Sequence, residues 1–289
     1  MDTAGLQRKL ESIEGRGYKA YRQLRGAYSF PRFTLHVDYV QGDPFAAPSR
    51  LRARVPQAEA GFDADLFSNP SRRVALEDYL ARAFDKAITR HVKGRRGTGK
   101  SGLVNIDSGG QEILERTAAV VNMEYVEVRF AVGLPARGRR CLGREALEIL
   151  AGEVPRLVDD SLLLRSLDRD GLREHVATAE DQDWLRSRLE SMGLAAFVVD
   201  GAILPRQSGI DDRPLSPGGV IRFRSPGELG VEVQLPNRGR VRGMGVPEGL
   251  TLVVGGGYHG KSTLLKAMER GVYNHVPGDG REGVVTRED

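Results

Sequence analysis

One stretch of this chain leaves little freedom of local structure. Leu250-Thr251-Leu252-Val253-Val254 is an apolar, β-prone run, Gly255-Gly256-Gly257-Tyr258-His259-Gly260-Lys261 is a glycine-rich turn, and Ser262-Thr263-Leu264-Leu265-Lys266-Ala267-Met268-Glu269-Arg270 is a good helix former stopped by Gly271. Strand, loop and helix follow one another inside the pattern Gly-x4-Gly-Lys-Ser. That order aims loop amides and a helix N-terminus at one point, an arrangement suited to a polyphosphate anion. Gly255, Gly256 and Gly257 let the backbone approach such an anion where side chains would obstruct it. Lys261 is then expected to reach the β- and γ-phosphates, Ser262 to offer its hydroxyl to Mg²⁺, and Thr263 to hydrogen-bond the α-phosphate. His259 lies inside the loop, where it could touch a phosphate or close the site, while Tyr258 beside it either packs or stands exposed. The competing reading of these residues is a glycine turn between a core strand and a helix, with an incidental lysine.

The same pattern recurs at Gly94–Ser101 in different surroundings. It follows a helical stretch instead of a strand, and Gly102 with the β-prone Leu103-Val104-Asn105-Ile106 argues against a helix after it. We read it as a basic glycine loop joining helix to strand. Lys93, Arg95, Arg96 and Lys100 could bind a phosphate or a nucleic-acid backbone there, or the loop is simply solvated. Charge is concentrated in this half: residues 1–160 carry 26 Lys and Arg against 21 Asp and Glu, residues 161–289 carry 17 against 18. A second cluster comprises Arg137, Arg139, Arg140 and Arg144. Such clusters either neutralise phosphates or form a solvated charged face.

Elsewhere the hydrophobic periodicity alternates between helix and strand. Strands are expected at Thr34–Val40, Leu51–Val55, Leu103–Asp107, Tyr125–Val132, Ala196–Val199, Val220–Phe223, Val231–Leu235 and Leu250–Val254; helices at the N-terminus, Val74–His91, Gly143–Leu150, Asp159–Leu167 and Glu180–Met192. The chain is therefore of the α/β class, and its 289 residues suffice for two domains, with weakly patterned sequence between Asp159 and Gly171 as the boundary. No apolar run approaches the ~18 residues that span a bilayer, the N-terminus does not read as a secretory signal, and the single cysteine, Cys141, excludes an internal disulfide. A reducing, cytoplasmic setting follows. Cys141 reads as an inert thiol, and the five histidines show no metal-ligand spacing. Ser108-Gly109-Gly110-Gln111 and Ala196-Phe197-Val198-Val199-Asp200 imitate two further ATPase motifs but precede the convincing loop; they read as a turn into Glu112–Arg116 and a core strand ending in a turn.

The string from Gly249 to Leu265 resembles the nucleotide loop, or Walker A motif, of ABC-class ATPases, in which Lys-Ser-Thr-Leu-Leu is common. Further segments are similar to a bacterial group of predicted ATPases of the ABC class: Gly99-Lys100-Ser101-Gly102, Gly110–Thr117, Glu127–Arg140, Ala202-Ile203-Leu204-Pro205-Arg206, and Val272–Glu282. The resemblance implies an α+β N-terminal domain over residues 1–165 followed by an incomplete P-loop ATPase domain over 166–289. It implies ATP and Mg²⁺ as ligands, held by Gly255, Gly256, Gly257, Tyr258, His259, Gly260, Lys261, Ser262 and Thr263, with Ser262 on the metal and no catalytic residue assigned. Members of the group continue into a second carboxylate-bearing strand and a signature segment, whereas this chain stops at Asp289, 27 residues after Ser262. Nucleotide binding weaker than in a complete relative, and negligible turnover by this polypeptide alone, are therefore expected. The full-length form is expected to close as a homodimer around the triphosphate, with the N-terminal domain as the moving or gripping part. Two other readings stay open: an RNA- or DNA-binding module with a basic N-terminal surface and a regulatory nucleotide site, and a small-molecule kinase.

Overall fold

The computed structural model describes residues 1–288; Asp289, the last residue of the expected second domain, lies outside the described residues. Helices and sheets are both present, and the chain divides into two units. The first comprises Met1–Phe67, Leu76–Ser108 and Glu115–Arg169; Ser68–Ala75 and Gly109–Leu114 group with the residues from Asp170 onward.

The first unit is built on an antiparallel sheet in the order Gly26–Ser29, Thr34–Tyr39, Ser49–Pro56, Tyr125–Val132, Val104–Asn105, with Ala119–Val121 also pairing Tyr125–Val132. Period-two alternation sorts its faces. Leu51, Ala53 and Val55 are buried together with Val126, Val128, Phe130 and Val132, and Phe84 of the helix Pro70–His91 meets Phe130 with ring centroids 5.0 Å apart. That helix begins earlier than its apolar stripe because Asn69 caps it, accepting the Arg72 amide at 2.9 Å, with Pro70 in the first position. On the opposite sheet face Arg52, Arg54 and Arg129 surround Glu127. Burial raises the Glu127 carboxyl, but these guanidinium groups outweigh it and hold the group below its usual range.

The helix expected over Gly143–Leu150 instead runs on to Ser161, and where a second was expected over Asp159–Leu167 only that run's last turn and the 3-10 turn Leu164–Ser166 are found. Gly143–Leu147 passes through a π-helical segment, Glu148–Glu153, into Val154–Ser161. The π turn directly precedes Pro155, which sits at the start of the α-helical part, where its missing amide and its ring are tolerated without ending the run.

The second unit centres on an antiparallel sheet ordered Gly230–Leu235, Gly239–Pro247, Leu194–Val199, Val284–Thr286. Successive residues of its Leu194–Val199 strand point to opposite faces. Phe197 packs with Leu185 and Leu189 of the helix Arg169–Leu189, whereas Val198 packs with Ala267 of the helix Lys261–Arg270. Buried Asp181 ties the sheet to the first of these helices by accepting the Asn237 and Arg238 amides of the hairpin turn, each at 2.9 Å. Val220–Phe223 and Leu250–Val254 are not strands. Both are β-prone, but a strand exists only with a neighbour, and among the described residues neither run pairs with one; Leu250, Leu252 and Val254 are exposed. No described helix is long and apolar enough to cross a membrane.

Candidate functional site

The glycine loop preceding the helix Lys261–Arg270 is open. Gly260 caps the helix in the left-handed region at φ 79°, and Tyr258 also lies there at φ 63°, an unusual place for a bulky side chain and the only non-glycine example among the described residues. Tyr258 is fully exposed. The His259 ring folds over the loop, so that a Cβ at Gly256 would stand 3.0 Å from it. The Lys261 ammonium reaches back into the loop and donates to the carbonyl oxygens of Gly255, at 2.7 Å, and Gly256. The amides behave oppositely. Among the described residues, those of Gly255 to Thr263 make no well-formed hydrogen bond to a protein acceptor, although Gly257 and Tyr258 form a turn that brings the His259 amide toward Gly256 O. A helix start always leaves its first amides without intrahelical partners, and here the preceding loop adds to that set. Ser262 is exposed at the first turn, its hydroxyl free of protein partners.

The look-alike loop at Gly94–Ser101 is closed. The Thr98 amide donates to Ala136 O at 2.8 Å, Lys100 to Pro44 O at 2.9 Å, Arg96 to Ser101 O at 2.9 Å and Gly102 to Gly133 O at 2.8 Å. Ser101 is buried, and its hydroxyl donates to Thr98 O at 2.5 Å while accepting the Ala136 amide at 3.0 Å. Arg96 is buried against Glu145, Glu148 and Glu153, and Lys93 donates to Glu148 at 2.9 Å, holding that carboxyl below its usual value. Arg95 and Lys100 remain exposed. Cys141 is buried and burial pushes its thiol up to about 11, in keeping with an inert side chain.

Residues 3–165 match the family model of the N-terminal region of ATPases of the ABC class, and residues 168–289 match its P-loop domain. The chain belongs to the ABC-class ATPases. An uncharacterized protein of Methanocaldococcus jannaschii is 29% identical over 129 residues, a segment covering 43% of this chain and 29% of that protein. The chain spans less than a third of the length of that relative, and its second matched region is the family's P-loop domain. Asp200, which ends an apolar strand, accepts the Ser225 amide at 2.5 Å and its hydroxyl at 3.0 Å, so its carboxylate serves a turn, as its sequence context suggests. Among the described residues no group of three or more His, Cys, Asp or Glu is arranged to hold a metal ion. Phe223 packs at the edge of the core around Val198.

Sequence reasoning assigned no chemistry to a second polar cluster in the ATPase domain. Thr263, Lys266 and Arg270, along one flank of the Lys261–Arg270 helix, line a cleft of about 440 Å³ with Arg206, His275 and Arg281. Arg206 donates to Asp279 through Nη1 to its backbone oxygen at 2.8 Å and through Nη2 to Oδ2 at 2.6 Å; His275 Nδ1 lies 2.9 Å from the same Oδ2. Burial works against the Asp279 charge, yet His275 and Arg206 hold that carboxyl below its usual value. Arg281, by contrast, is pushed down to about 10 by burial and by the neighbouring Arg206. The visible signal was the pair of strings Ala202–Arg206 and Val272–Glu282, which carry the family resemblance but no recognised motif.

Proposed function

We propose that residues 255–263 hold the phosphates of ATP, with Lys261 on the β- and γ-phosphates, Thr263 at the α-phosphate and Ser262 offering its hydroxyl to Mg²⁺. The observation that carries this reading is the row of loop and first-turn amides with no well-formed bond to a protein acceptor. Unpartnered donors at a helix start favour an anion, and the lysine already stands beside them on carbonyls it would exchange for phosphate oxygens. The residues present thus fit the nucleotide. Magnesium, when bound, would neutralise charge between the phosphates; in this reading Ser262 is the residue of this chain that meets it. In the same reading residues 166–289 form the nucleotide-binding domain and residues 1–165 the part that grips or moves.

Turnover by this polypeptide alone is negligible in this proposal. Asp200 is committed to Ser225, no described acidic cluster is arranged for metal, and phosphoryl transfer depends on such groups to position water and balance developing charge. Equilibrium binding of labelled ATP, with and without Mg²⁺, to the chain and to Lys261→Ala tests the site. The expected result is saturable, Mg²⁺-strengthened binding that the variant weakens at least tenfold; equal binding by both would place the nucleotide elsewhere. A substantial ATPase rate abolished by Lys261→Ala would keep the site and overturn the claim about turnover.

A further inference from the structure

We propose that the cleft along the flank of the Lys261–Arg270 helix is a second anion site, adjoining the glycine loop at Thr263 but held by different charged side chains, and that it takes a phosphate group. Two strings that the nucleotide loop does not use are locked together there. Ile203 donates its amide to Gly280 O at 2.8 Å, Arg281 donates through Nε to Leu204 O at 2.9 Å, and Arg206 grips Asp279. His275 is anchored from behind, its amide donating to Gln182 Oε1 at 2.8 Å. The cluster is therefore fixed in place before any ligand arrives, which lowers the ordering cost of binding.

The charge balance inside the cluster is incomplete. Asp279, fully buried, is taken up by Arg206 and His275, and Arg270 lies 3.6 Å from Glu112. Arg281 is only 6% exposed, yet among the described residues neither it nor Lys266 has a carboxylate partner. Its Nε and Nη2 donate to a single backbone carbonyl, a neutral acceptor, and the carboxylates of Asp279 and Asp212 offset its charge only from beyond ion-pair distance. Glu112, Asp212 and Glu269 also line the cleft; Glu112 faces Arg270, while Asp212 and Glu269 stand exposed to water, where their charge is partly screened. A tetrahedral dianion between Arg281, Lys266 and Arg270 would meet guanidinium donors and an ammonium at once, the combination that recognises phosphate. No Phe, Tyr or Trp is among the described lining residues, so the cleft offers a phosphate nothing with which to stack an attached base.

The test is calorimetric titration of the full chain, free of nucleotide, with inorganic phosphate and separately with ATP, comparing wild type, Lys266→Gln, Arg281→Gln and Lys261→Ala. Lys266 is exposed, so its replacement leaves the fold intact even if Arg281→Gln does not fold. Expected are saturable phosphate binding by wild type, a loss of about tenfold in Lys266→Gln, the worth of one charge-assisted contact, and unchanged phosphate affinity in Lys261→Ala. ATP affinity should follow the opposite order, falling in Lys261→Ala and holding in Lys266→Gln. Phosphate binding that disappears in Lys261→Ala and survives in Lys266→Gln would assign the anion to the loop alone and overturn the proposal, as would the absence of saturable binding by wild type. Parallel loss of ATP and phosphate affinity in Lys266→Gln would make the cleft part of the nucleotide site and overturn its separateness.

Discussion

In the Gly94–Ser101 loop four amides end on carbonyl oxygens of the protein, the serine hydroxyl is buried, and the arginine ahead of it is enclosed by glutamates. In the Gly255–Ser262 loop the amides make no well-formed bond to a protein acceptor, the serine is exposed, and the lysine rests on the loop itself. The eight-residue pattern is shared, and the glycines in both permit a close approach. What approaches differs. A Cβ at Gly97 would lie 2.1 Å from Ala136 O, so protein backbone occupies the space that glycine leaves, whereas nothing stands within 4 Å of a Cβ at Gly257. The pattern alone cannot separate a loop that packs from a loop that receives; the fate of its donors does, and that fate is set by the flanking segments.

The largest effect expected from this contrast belongs to Arg96. Replacing it by Met leaves the buried Glu153 carboxylate without its guanidinium, and breaking a buried pair from one side costs about 3–5 kcal/mol. Urea denaturation should show that loss for Arg96→Met and less than about 0.5 kcal/mol for the exposed Arg95→Met. A marginal effect of Arg96→Met would mean that the first loop is not held as its hydrogen bonds indicate.

Next comes the glycine pair. Gly97 has φ 133° and a carbonyl in the path of any side chain, so Gly97→Ala should destabilise by about 2–4 kcal/mol. Gly257→Ala should change stability by less than about 0.5 kcal/mol and should weaken ATP binding instead. Equal destabilisation by both would erase the distinction between a packed and an open loop.

How far the sequence itself carried this distinction depends on the kind of information each element needs. Tyr125–Val132 was legible to the residue because its two faces meet different solvents, apolar core and an arginine-covered surface, and alternation records that directly. The Lys261–Arg270 helix was legible because its start and stop residues are local signals. Leu250–Val254 was not, since propensity describes a residue's preference for extended backbone and says nothing about whether a neighbouring strand is there to pair. Gly239–Pro247 escaped for the converse reason: Gly243 and Gly245 lower its strand propensity, yet side chains there would strike Phe197 and Leu194. In the candidate site, the glycine loop is contiguous and could be found by pattern. The cleft joins Arg206 to Arg281 across a long separation in sequence, and only the fold brings Leu204 O under the Arg281 guanidinium.

The two lysines supply the third comparison. Lys261→Ala should cost ATP binding about 1.5–3 kcal/mol, the worth of hydrogen bonds from a charged group, or roughly tenfold to a hundredfold in Kd. Lys100→Ala removes a side chain at the corresponding motif position from an exposed part of the closed loop and should leave ATP affinity unchanged. Filter binding with labelled ATP decides it, and a comparable loss from Lys100→Ala would give the first loop a nucleotide role that its satisfied amides argue against.

The smallest effect sharpens what the open loop is holding in reserve. Tyr258 sits at φ 63° with its side chain fully exposed, so it accepts a left-handed conformation costing about 1 kcal/mol without a packing contact in return. Asparagine tolerates that conformation better, and Tyr258→Asn should therefore raise stability by about 0.5 kcal/mol. Thermal denaturation without ligand measures the gain, and the same titration with ATP tells whether the ring matters. If stability rises and affinity holds, the turn shape is what the loop requires and the phenol is incidental. If affinity falls while stability rises, the strained residue is retained because its ring meets the nucleotide, and the open loop is then specialised in side chain as well as in backbone. A fall in stability would show the opposite, that the tyrosine itself holds the turn, and would bring this loop closer in kind to the closed one.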